Sequence, residues 1–334
     1  RTLKARMTFE KLGAGFAGNV ATPADYHYTA FAGGKLWLFG RKFVDQPSHN
    51  WGHRVHFAGS YAVAFDVAAK SWGSSIEVPA LTLDENVEET LFVSGDAIFL
   101  LLHTAFGTPA FLSLHKWSGS EWCKVADLKG AEGGEKGVRL DFVIADCGCN
   151  KEKYVIVGGG GYEMKVYKLS LADADSAIEH VIDINEEVNH LRGRPLSGLA
   201  AGGQLLISFG VQGCGFRWEN KRFIRVDLAE KKAEEVNLDC EDAPPFSFSG
   251  THLTALTKAG DWLHVAGALQ VGMCDSKFCP EAWSMTGGPA APTWKKLPMQ
   301  VPEEYGGSDF LGAFDPEIST LFLASKESVS ATTV

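Results

Sequence analysis

The sequence predicts an all-β fold made of six repeated units, each with four antiparallel strands. A turn with Gly, Asp or Asn, followed by an apolar run, recurs six times along the chain. Another apolar stretch precedes most of these turns, and two apolar stretches joined by a tight turn are typical of a β-hairpin. Segments with apolar residues at helical spacing are scarce, so a helical fold is not favoured.

The repeat has a nearly constant length. The first apolar residue after each turn lies near positions 36, 97, 154, 205, 262 and 320, at intervals of 61, 57, 51, 57 and 58 residues. Regular intervals of this size indicate a repeat architecture. The six segments are GGKLWLFG (33–40), SGDAIFLLL (94–102), NKEKYVIVGG (150–159), GGQLLISFG (202–210), AGDWLHVAG (259–267) and DPEISTLFLA (315–324).

A third and a fourth strand follow in most units. Clear third strands are SYAVAFDV (60–67), AFLSLHKW (110–117), MKVYKLSL (164–171) and RFIRVDLA (222–229). The fourth strand is shorter and more polar, and Trp72, Trp122 and Trp294 lie near its start. Because an aromatic ring at this offset can pack between adjacent sheets, we expect Trp72 and Trp122 to be equivalent and largely buried. Six four-stranded units with such aromatic residues predict a β-propeller.

The N-terminal segment is expected to close the propeller. The last unit supplies only three strands, and Phe9-Glu10-Lys11-Leu12 parallels the fourth-strand segment Trp294-Lys295-Lys296-Leu297. Pairing of this segment with the C-terminal blade would remove the free sheet edges. The predicted single domain therefore has blades at about 26–80, 86–128, 138–184, 194–240, 250–300 and 308–334 plus 7–12.

The repeat resembles the Kelch family of propellers over most of the chain. A Kelch unit has paired glycines after its second strand, then a Tyr and a Trp. Gly158-Gly159 fits the glycine pair, and the three tryptophans at fourth-strand starts fit the Trp position. The resemblance implies a rigid disk that presents loops to a protein or peptide partner. Kelch-like propellers also include enzymes, so the resemblance leaves the activity open.

Composition excludes several classes of protein. The 334 residues are 45% apolar and carry a net charge of −10, which is typical of a folded chain and not of a disordered one. A nucleic-acid partner is not predicted, because its phosphates would require clustered positive charge. A membrane span is not predicted either, since no apolar run approaches ~18 residues. No cofactor is predicted.

The seven cysteines are an odd number, so at least one stays unpaired within a monomer. The chain also has no Asn-x-Ser/Thr glycosylation site, and both features favour a reducing, cytoplasmic compartment. Cys147 with Cys149, and Cys274 with Cys279, are close in sequence. We interpret them as free thiols; a hairpin disulfide between the last two, or a zinc site joining both pairs, is the alternative.

Two local motifs suggest ligands. Gly13–Gly18 matches G-x-G-x-x-G, but no βαβ unit follows, so we interpret it as a flexible connection between blades. His49, His53 and His56 lie in one connection of blade one and are the candidate metal ligands. Their spacing is interrupted by Pro47 and Gly52, so a polar loop is favoured and no metal site is predicted.

The candidate site is the mouth of the central channel. The innermost strands of a propeller line this channel, and the residues where they enter are polar in all six units. These residues are His27, Tyr28, Glu88, Glu89, Arg139, Asp141, Arg192, Arg194, Thr251, His252, Ser308 and Asp309. Arg139 and Arg194 could hold a carboxylate or phosphate. Alternatively, these side chains hold only water and one another.

Two functions fit this sequence. The first is a soluble, monomeric binding module for a protein, a peptide or a small polar ligand, with long loops at Arg41–Ser60 and Ala268–Glu281 enlarging one face. The second is an enzyme that uses the channel mouth for acid–base or metal-assisted chemistry. No residue is assigned a catalytic role.

Overall fold

The chain is a six-bladed β-propeller. The computed structural model describes residues 7–16, 25–46, 54–79, 81, 87–106, 110–128, 140–159, 162–171, 176–185, 188, 194–210, 222–237, 244, 252–266, 268–270, 276–305 and 311–334. Within these ranges, helical structure is limited to the 3-10 turn Glu303–Tyr305. No helix in the described ranges is both long and apolar enough to cross a membrane.

The first three blades follow one another along the chain. Blade one contains β2 (Asp25–Ala32), β3 (Lys35–Gln46), β4 (Arg54–Asp66), β5 (Ser71–Trp72) and β6 (Ile76–Val78). Blade two contains β7 (Val87–Ser94), β8 (Ala97–Thr104), β9 (Phe111–Trp117) and β10 (Trp122–Asp127). Blade three contains β11 (Asp141–Ala145), β12 (Glu152–Gly159), β13 (Tyr162–Ser170) and β14 (Ala177–Ile184).

The last three blades complete the ring. Blade four contains β15 (Arg194–Ala201), β16 (Gln204–Gly210), β17 (Arg222–Asp227) and β18 (Lys232–Asn237). Blade five contains β19 (His252–Leu256), β20 (Trp262–Ala266), β23 (Glu281–Thr286) and β24 (Thr293–Gln300), with the small hairpin β21 (Ala268–Gln270) and β22 (Ser276–Phe278). Blade six contains β25 (Leu311–Asp315), β26 (Thr320–Ala324), β27 (Ser328–Thr333) and β1 (Glu10–Ala14).

Tight turns set the register within the blades. Ala32 pairs with Lys35, so only Gly33 and Gly34 connect β2 to β3. Both glycines have positive φ values, +58° and +72°, which a two-residue hairpin requires and which side chains disfavour. Gly202 and Gly203 form the equivalent turn in blade four. The turns singled out in the sequence therefore join the first two strands of their blades.

The first strand of each blade is the inner one. β2 contacts β7 and β25, β7 contacts β11, and β11 contacts β15. Antiparallel order then places the start of every inner strand, the end of every second strand and the connection between second and third strands on one side of the ring. We call this the entry side.

The predicted closure by the N-terminal strand is confirmed, with a shifted boundary. β1 pairs antiparallel with β27, and Glu10 lies opposite Ala331. The pairing strand is Glu10–Ala14 rather than 7–12. Met7 instead forms a parallel bridge with Met299 of blade five. This shift occurs because Met7 and Phe9 pack on the apolar cluster between blades five and six before the chain reaches β27.

The core is divided among the boundaries between blades. The described residues contain six buried apolar clusters, and each joins two neighbouring blades. The cluster between blades six and one includes Leu36 and Phe65 together with Leu311 and Phe322. Burial of such side chains contributes about 1.5–3 kcal/mol each. Every blade therefore needs apolar contact on both sides, and the ring supplies it.

Tryptophans reinforce three of these boundaries. Trp72 pairs with Phe65, and Trp122 pairs with Trp117, so the two are equivalent. Each packs on the preceding blade, and the Trp72 Nε1–H donates to the Ala14 carbonyl at 2.9 Å. Both are intermediate in exposure and pack against the apolar clusters at these boundaries, as expected for largely buried rings, and Trp294 is buried. The fourth strand lies at the outer edge of its blade, so one side of a tryptophan's indole ring on this strand can meet solvent.

The long loops predicted on one face are mostly strand. Between 41 and 60, β3 continues to Gln46 and β4 begins at Arg54, and these two residues pair. Residues 47–53 lie outside the described ranges. Between 268 and 281, Ala268 of β21 pairs with Phe278 of β22. Aromatic and β-branched residues in the blade-one segment favour this extended pairing over a loop.

The predicted flexible connection at Gly13–Gly18 was also wrong over its described part, 13–16. Gly13 lies in β1, and the Phe16 ring makes an edge contact with Tyr26, with centroids 5.3 Å apart. A Cβ on Gly15 would lie 2.3 Å from the backbone nitrogen of Glu327. Gly15 therefore allows close approach of the segment after β1 to blade six, and Gly13 allows close approach to Phe65 of blade one.

Substitution of Gly15 tests this approach. We expect Gly15→Ala to reduce the free energy of unfolding by about 1–3 kcal/mol, because the new methyl group overlaps backbone that cannot move aside easily. The matched control is Gly73→Ala, whose Cβ would lie 3.6 Å from its nearest neighbour. Urea unfolding followed by tryptophan fluorescence measures both. Equal midpoints for the two variants would contradict the close approach.

Candidate functional site

A cavity of about 320 Å³ lies on the entry side of the channel. Its described wall comes from blades one to four, because the inner strands β2, β7, β11 and β15 all begin there. We call it the mouth cavity. It is lined by Tyr28, Glu88, Glu89, Thr90, Leu91, His103, Leu140, Asp141, Phe142, Val143, Arg194, Pro195 and Leu196. This volume is at the lower end of the range of small-molecule sites.

One ion pair fixes blade one to blade two beside the mouth cavity. The Arg41 guanidinium lies 2.8 Å from the Glu89 carboxylate, and the Tyr28 hydroxyl donates to the Glu89 carbonyl at 2.9 Å. Burial alone would lower the pKa of Arg41, but Glu89 raises it above its ordinary value. A second cavity of about 30 Å³, enough for about one water, lies on the Arg41 side of this group.

A second ion pair joins blade four to blade three. Arg194 Nε lies 3.2 Å from Asp141 Oδ2, and both side chains are largely buried. Arg194 was predicted to hold an anionic ligand together with Arg139. In the structure its charge is balanced by Asp141, and Arg139 lies outside the described ranges.

A buried histidine, His103, is part of the wall that blade two contributes. His103 is 1% exposed, and its ring stacks on Phe142 with centroids 3.6 Å apart. Its Nδ1 lies 3.1 Å from the Thr104 carbonyl, and its Nε2 lies 2.8 Å from the Thr90 hydroxyl. Burial lowers the pKa of His103 to about 4, so the ring is neutral at pH 7.

The opposite end of the channel is crossed by hydrogen bonds. Asp146, just after β11, pairs with blade four through its backbone N–H to Gly198 at 3.1 Å. Its carboxylate accepts from the Leu256 N–H of blade five at 3.3 Å and from Lys153 Nζ at 3.1 Å. Since blade four lies between blades three and five, the bond to Leu256 passes along the channel side of β15. The mouth cavity lies at the other end.

The structure brings five of the predicted site residues together. Tyr28, Glu88, Glu89, Asp141 and Arg194 all line the mouth cavity. His27 is exposed beside them, with its ring 4.4 Å from that of Tyr28 and along the smaller cavity. Arg139, Arg192, Thr251, Ser308 and Asp309 lie outside the described ranges, and His252 is described only as the first residue of β19.

Three residues of this site did not emerge from the sequence. Arg41 is the first residue of a predicted loop, and Thr90 and His103 are not among the predicted site residues. A signal for His103 was available, because a histidine near the end of the otherwise apolar strand AIFLLLHT is unusual. Arg41 has no comparable signal, since its role depends on the neighbouring blade.

The thiol candidates that the structure describes, Cys147, Cys149 and Cys279, do not line this cavity. His56 lies in β4, and His49 and His53 fall outside the described ranges. No group of three or more His, Cys, Asp or Glu side chains in the described ranges could hold a metal ion. Cys147 and Cys149 are free thiols; the first donates to the Glu152 carbonyl, and burial raises its pKa. Cys279 is buried, and Cys274 lies outside the described ranges.

Comparison with known proteins adds no functional assignment. No protein-family model and no curated protein matches the chain. It is similar to YjhT, with 10% identity over 82% of this chain and 85% of that one and a TM-score of 0.48. It is also similar to an oligogalacturonate lyase in complex with manganese, with 11% identity over 99% and 97% of the chains and a TM-score of 0.46. The β-propeller domain of Cps50 (Swd1) from Myceliophteria thermophila has 9% identity over 98% and 100%, and a TM-score of 0.46.

The neutral state of His103 has a consequence for stability. The unfolded chain takes up a proton on this histidine below pH ~6.5, whereas the folded chain does so only near pH 4. We therefore expect the free energy of unfolding to fall by up to about 3 kcal/mol between pH ~6.5 and 4 because of this group.

His103→Gln removes this titration while keeping an oxygen that can accept from Thr90. The difference in unfolding free energy between wild type and variant, measured by urea unfolding at several pH values, should shrink as the pH falls. Contributions from other histidines cancel in this difference. A difference independent of pH would contradict the neutral state of His103.

Proposed function

We propose that this chain is a Kelch-like propeller that acts as a binding module and takes a small polar ligand in the mouth cavity. The observation that carries the proposal is the composition of the cavity wall, which combines carboxylates, a guanidinium group and apolar side chains from four blades. A concave, mostly apolar site with a few convergent polar groups is typical of small-ligand binding.

The wall is fixed before any ligand arrives. The Arg41–Glu89 and Arg194–Asp141 ion pairs each join two blades, and the Tyr28–Glu89 hydrogen bond adds a third link. Polar groups held in this way lose little conformational freedom on binding, so more of the interaction energy appears as affinity. Such fixed geometry supports a binding site rather than a solvated channel end.

The entry side can also accommodate a larger partner. The hairpin of β3 and β4 extends from this side, and Arg41 lies where the extension begins. A protein or peptide that inserts a polar side chain into the mouth cavity would meet this hairpin. An enzyme using the same cavity remains the alternative prediction, and it requires the same binding step.

Thermal shift with a panel of small amines, sugars, carboxylates and phosphates tests the proposal. A ligand that binds only the folded state raises the melting temperature, so we expect at least one class at about 10 mM to do so. The shift should be lost in Leu196→Trp, which fills the cavity. Ile318→Trp, at an exposed turn residue outside the cavity wall, is the control and should keep the shift.

Two outcomes would overturn the proposed function. One is a panel in which no class raises the melting temperature of the wild-type protein. The other is a shift of equal size in wild type and Leu196→Trp, which would place the binding elsewhere on the propeller.

A further inference from the structure

Thr90 and His103 form a hydroxyl–imidazole pair in the wall of the mouth cavity, and both residues line that cavity. The Thr90 hydroxyl oxygen lies 2.8 Å from His103 Nε2. A hydroxyl beside an imidazole whose other nitrogen is held by a third group is the arrangement in which an alcohol becomes a nucleophile. The third group here is the Thr104 carbonyl, 3.1 Å from His103 Nδ1.

The hydrogen bonds of this pair fix the positions of its protons. A carbonyl cannot donate, so the contact with Thr104 places the single proton of neutral His103 on Nδ1. Nε2 then carries a lone pair, and the Thr90 hydroxyl donates to it. A general base requires this direction, because it must take the proton of the attacking hydroxyl.

Packing holds the histidine in this orientation. The His103 ring is 1% exposed and stacks on Phe142 of blade three. Because burial lowers the pKa of His103 to about 4, the imidazole is unprotonated at pH 7 and can accept a proton. Once protonated, the ring is a strong acid and passes the proton readily to a leaving group.

A second hydroxyl–imidazole pair in blade two provides an internal comparison. Ser113 Oγ lies 2.9 Å from His115 Nε2, and the two residues are 8% and 7% exposed. Neither residue is among those that line the mouth cavity or the smaller cavity. Thr90, in contrast, is half-buried and lines the mouth cavity. Access to a cavity therefore distinguishes the Thr90–His103 pair from an internal hydrogen bond.

The cavity limits the compounds that can reach Thr90. Its volume of about 320 Å³ accommodates a small molecule. Leu140, Phe142 and Leu196 line it together with Thr90, and they offer apolar contact to an acyl chain. A hydroxyl nucleophile attacks a polarised carbonyl carbon, and an ester suits this pair because its alkoxide leaves more readily than the amine of an amide.

We propose that Thr90 is a nucleophile that takes the acyl group of a small carboxylic ester bound in the mouth cavity, with His103 as its general base. The inference rests on the proposed function, since the ester is then a ligand of that cavity. Thr90 Oγ1 forms a bond to the acyl carbon, its proton moves to His103 Nε2, and the ester C–O bond breaks. The proton then passes to the leaving alkoxide or phenolate. Water, which gives a proton to His103, next attacks the acyl carbon; the bond to Thr90 breaks, the carboxylic acid leaves, and Thr90 regains its proton.

Incubation of the full chain with 4-nitrophenyl acetate tests the proposal. We expect release of 4-nitrophenolate and, in samples quenched with acid during the first seconds, an acetyl group on Thr90. Mass spectrometry of proteolytic peptides locates this group, and the measurement requires no variant. The proposal is overturned if acetyl groups are found only on other residues, or on none.

Variants separate the nucleophile, the base and the hydrogen bond. Thr90→Val keeps the shape and removes the hydroxyl, whereas His103→Gln keeps an oxygen that accepts from Thr90 but cannot serve as the base. We expect each to lower the rate of 4-nitrophenolate release above the spontaneous background by at least about 100-fold. Thr90→Ser keeps the nucleophile and should stay within about tenfold of wild type. Ser113→Ala, in the second pair, is the control and should leave the rate unchanged. Equal rates in wild type, Thr90→Val and His103→Gln would contradict the assigned roles.

Leu196→Trp separates this inference from the proposed function. Loss of Thr90 acetylation in this variant supports both. If Thr90 is not acetylated in wild type but a panel ligand raises the melting temperature in a Leu196→Trp-sensitive way, the activity is wrong and the cavity remains a binding site. If Thr90 is acetylated equally in wild type and Leu196→Trp, the ester does not bind in the mouth cavity and the inference fails. If there is neither acetylation nor a thermal shift, both fail.

Discussion

Closure of the ring is the constraint on which the rest of the molecule depends. Among the described residues no blade has a core of its own, because the buried apolar clusters lie between blades and each blade contributes to two of them. Pairing of β1 with β27 provides the last strand of blade six and with it the sixth boundary. The mouth cavity exists only because this closure holds four inner strands around one channel.

The same interactions that hold blades together also form the candidate site. Arg41 with Glu89, and Arg194 with Asp141, cross blade boundaries at the edge of the cavity. At the far end, Asp146 connects blades three, four and five, and its partner Lys153 is 4% exposed. Removal of one member of such a buried pair leaves an uncompensated charge, so changes here affect stability as well as binding.

The architecture could be predicted from the sequence because each repeat is specified by residues that are close together in the chain. Glycine pairs such as Gly33-Gly34 specify two-residue turns, and alternating apolar residues specify the strands between them. The bounds of β1 were harder to predict, since Phe9 and Leu12 are both typical strand residues. Phe9 packs on the cluster between blades five and six, whereas Leu12 packs on the cluster between blades six and one, and only these tertiary contacts determine where the pairing strand begins. The ion-pair partners of Arg41 and Arg194 lie on neighbouring blades, so residue spacing within one repeat could not predict these contacts.

The seam between β1 and β27 also constrains how the protein folds. Glu10 and Ala331 pair although more than three hundred residues separate them, so the ring can close only after β27 has been synthesised. Until then, the apolar surfaces of blades one and six that form the last boundary stay exposed. Contacts between residues so distant in sequence close slowly, and exposed strand edges favour aggregation during the delay. A propeller closed in this way is therefore most prone to aggregation just before blade six is complete.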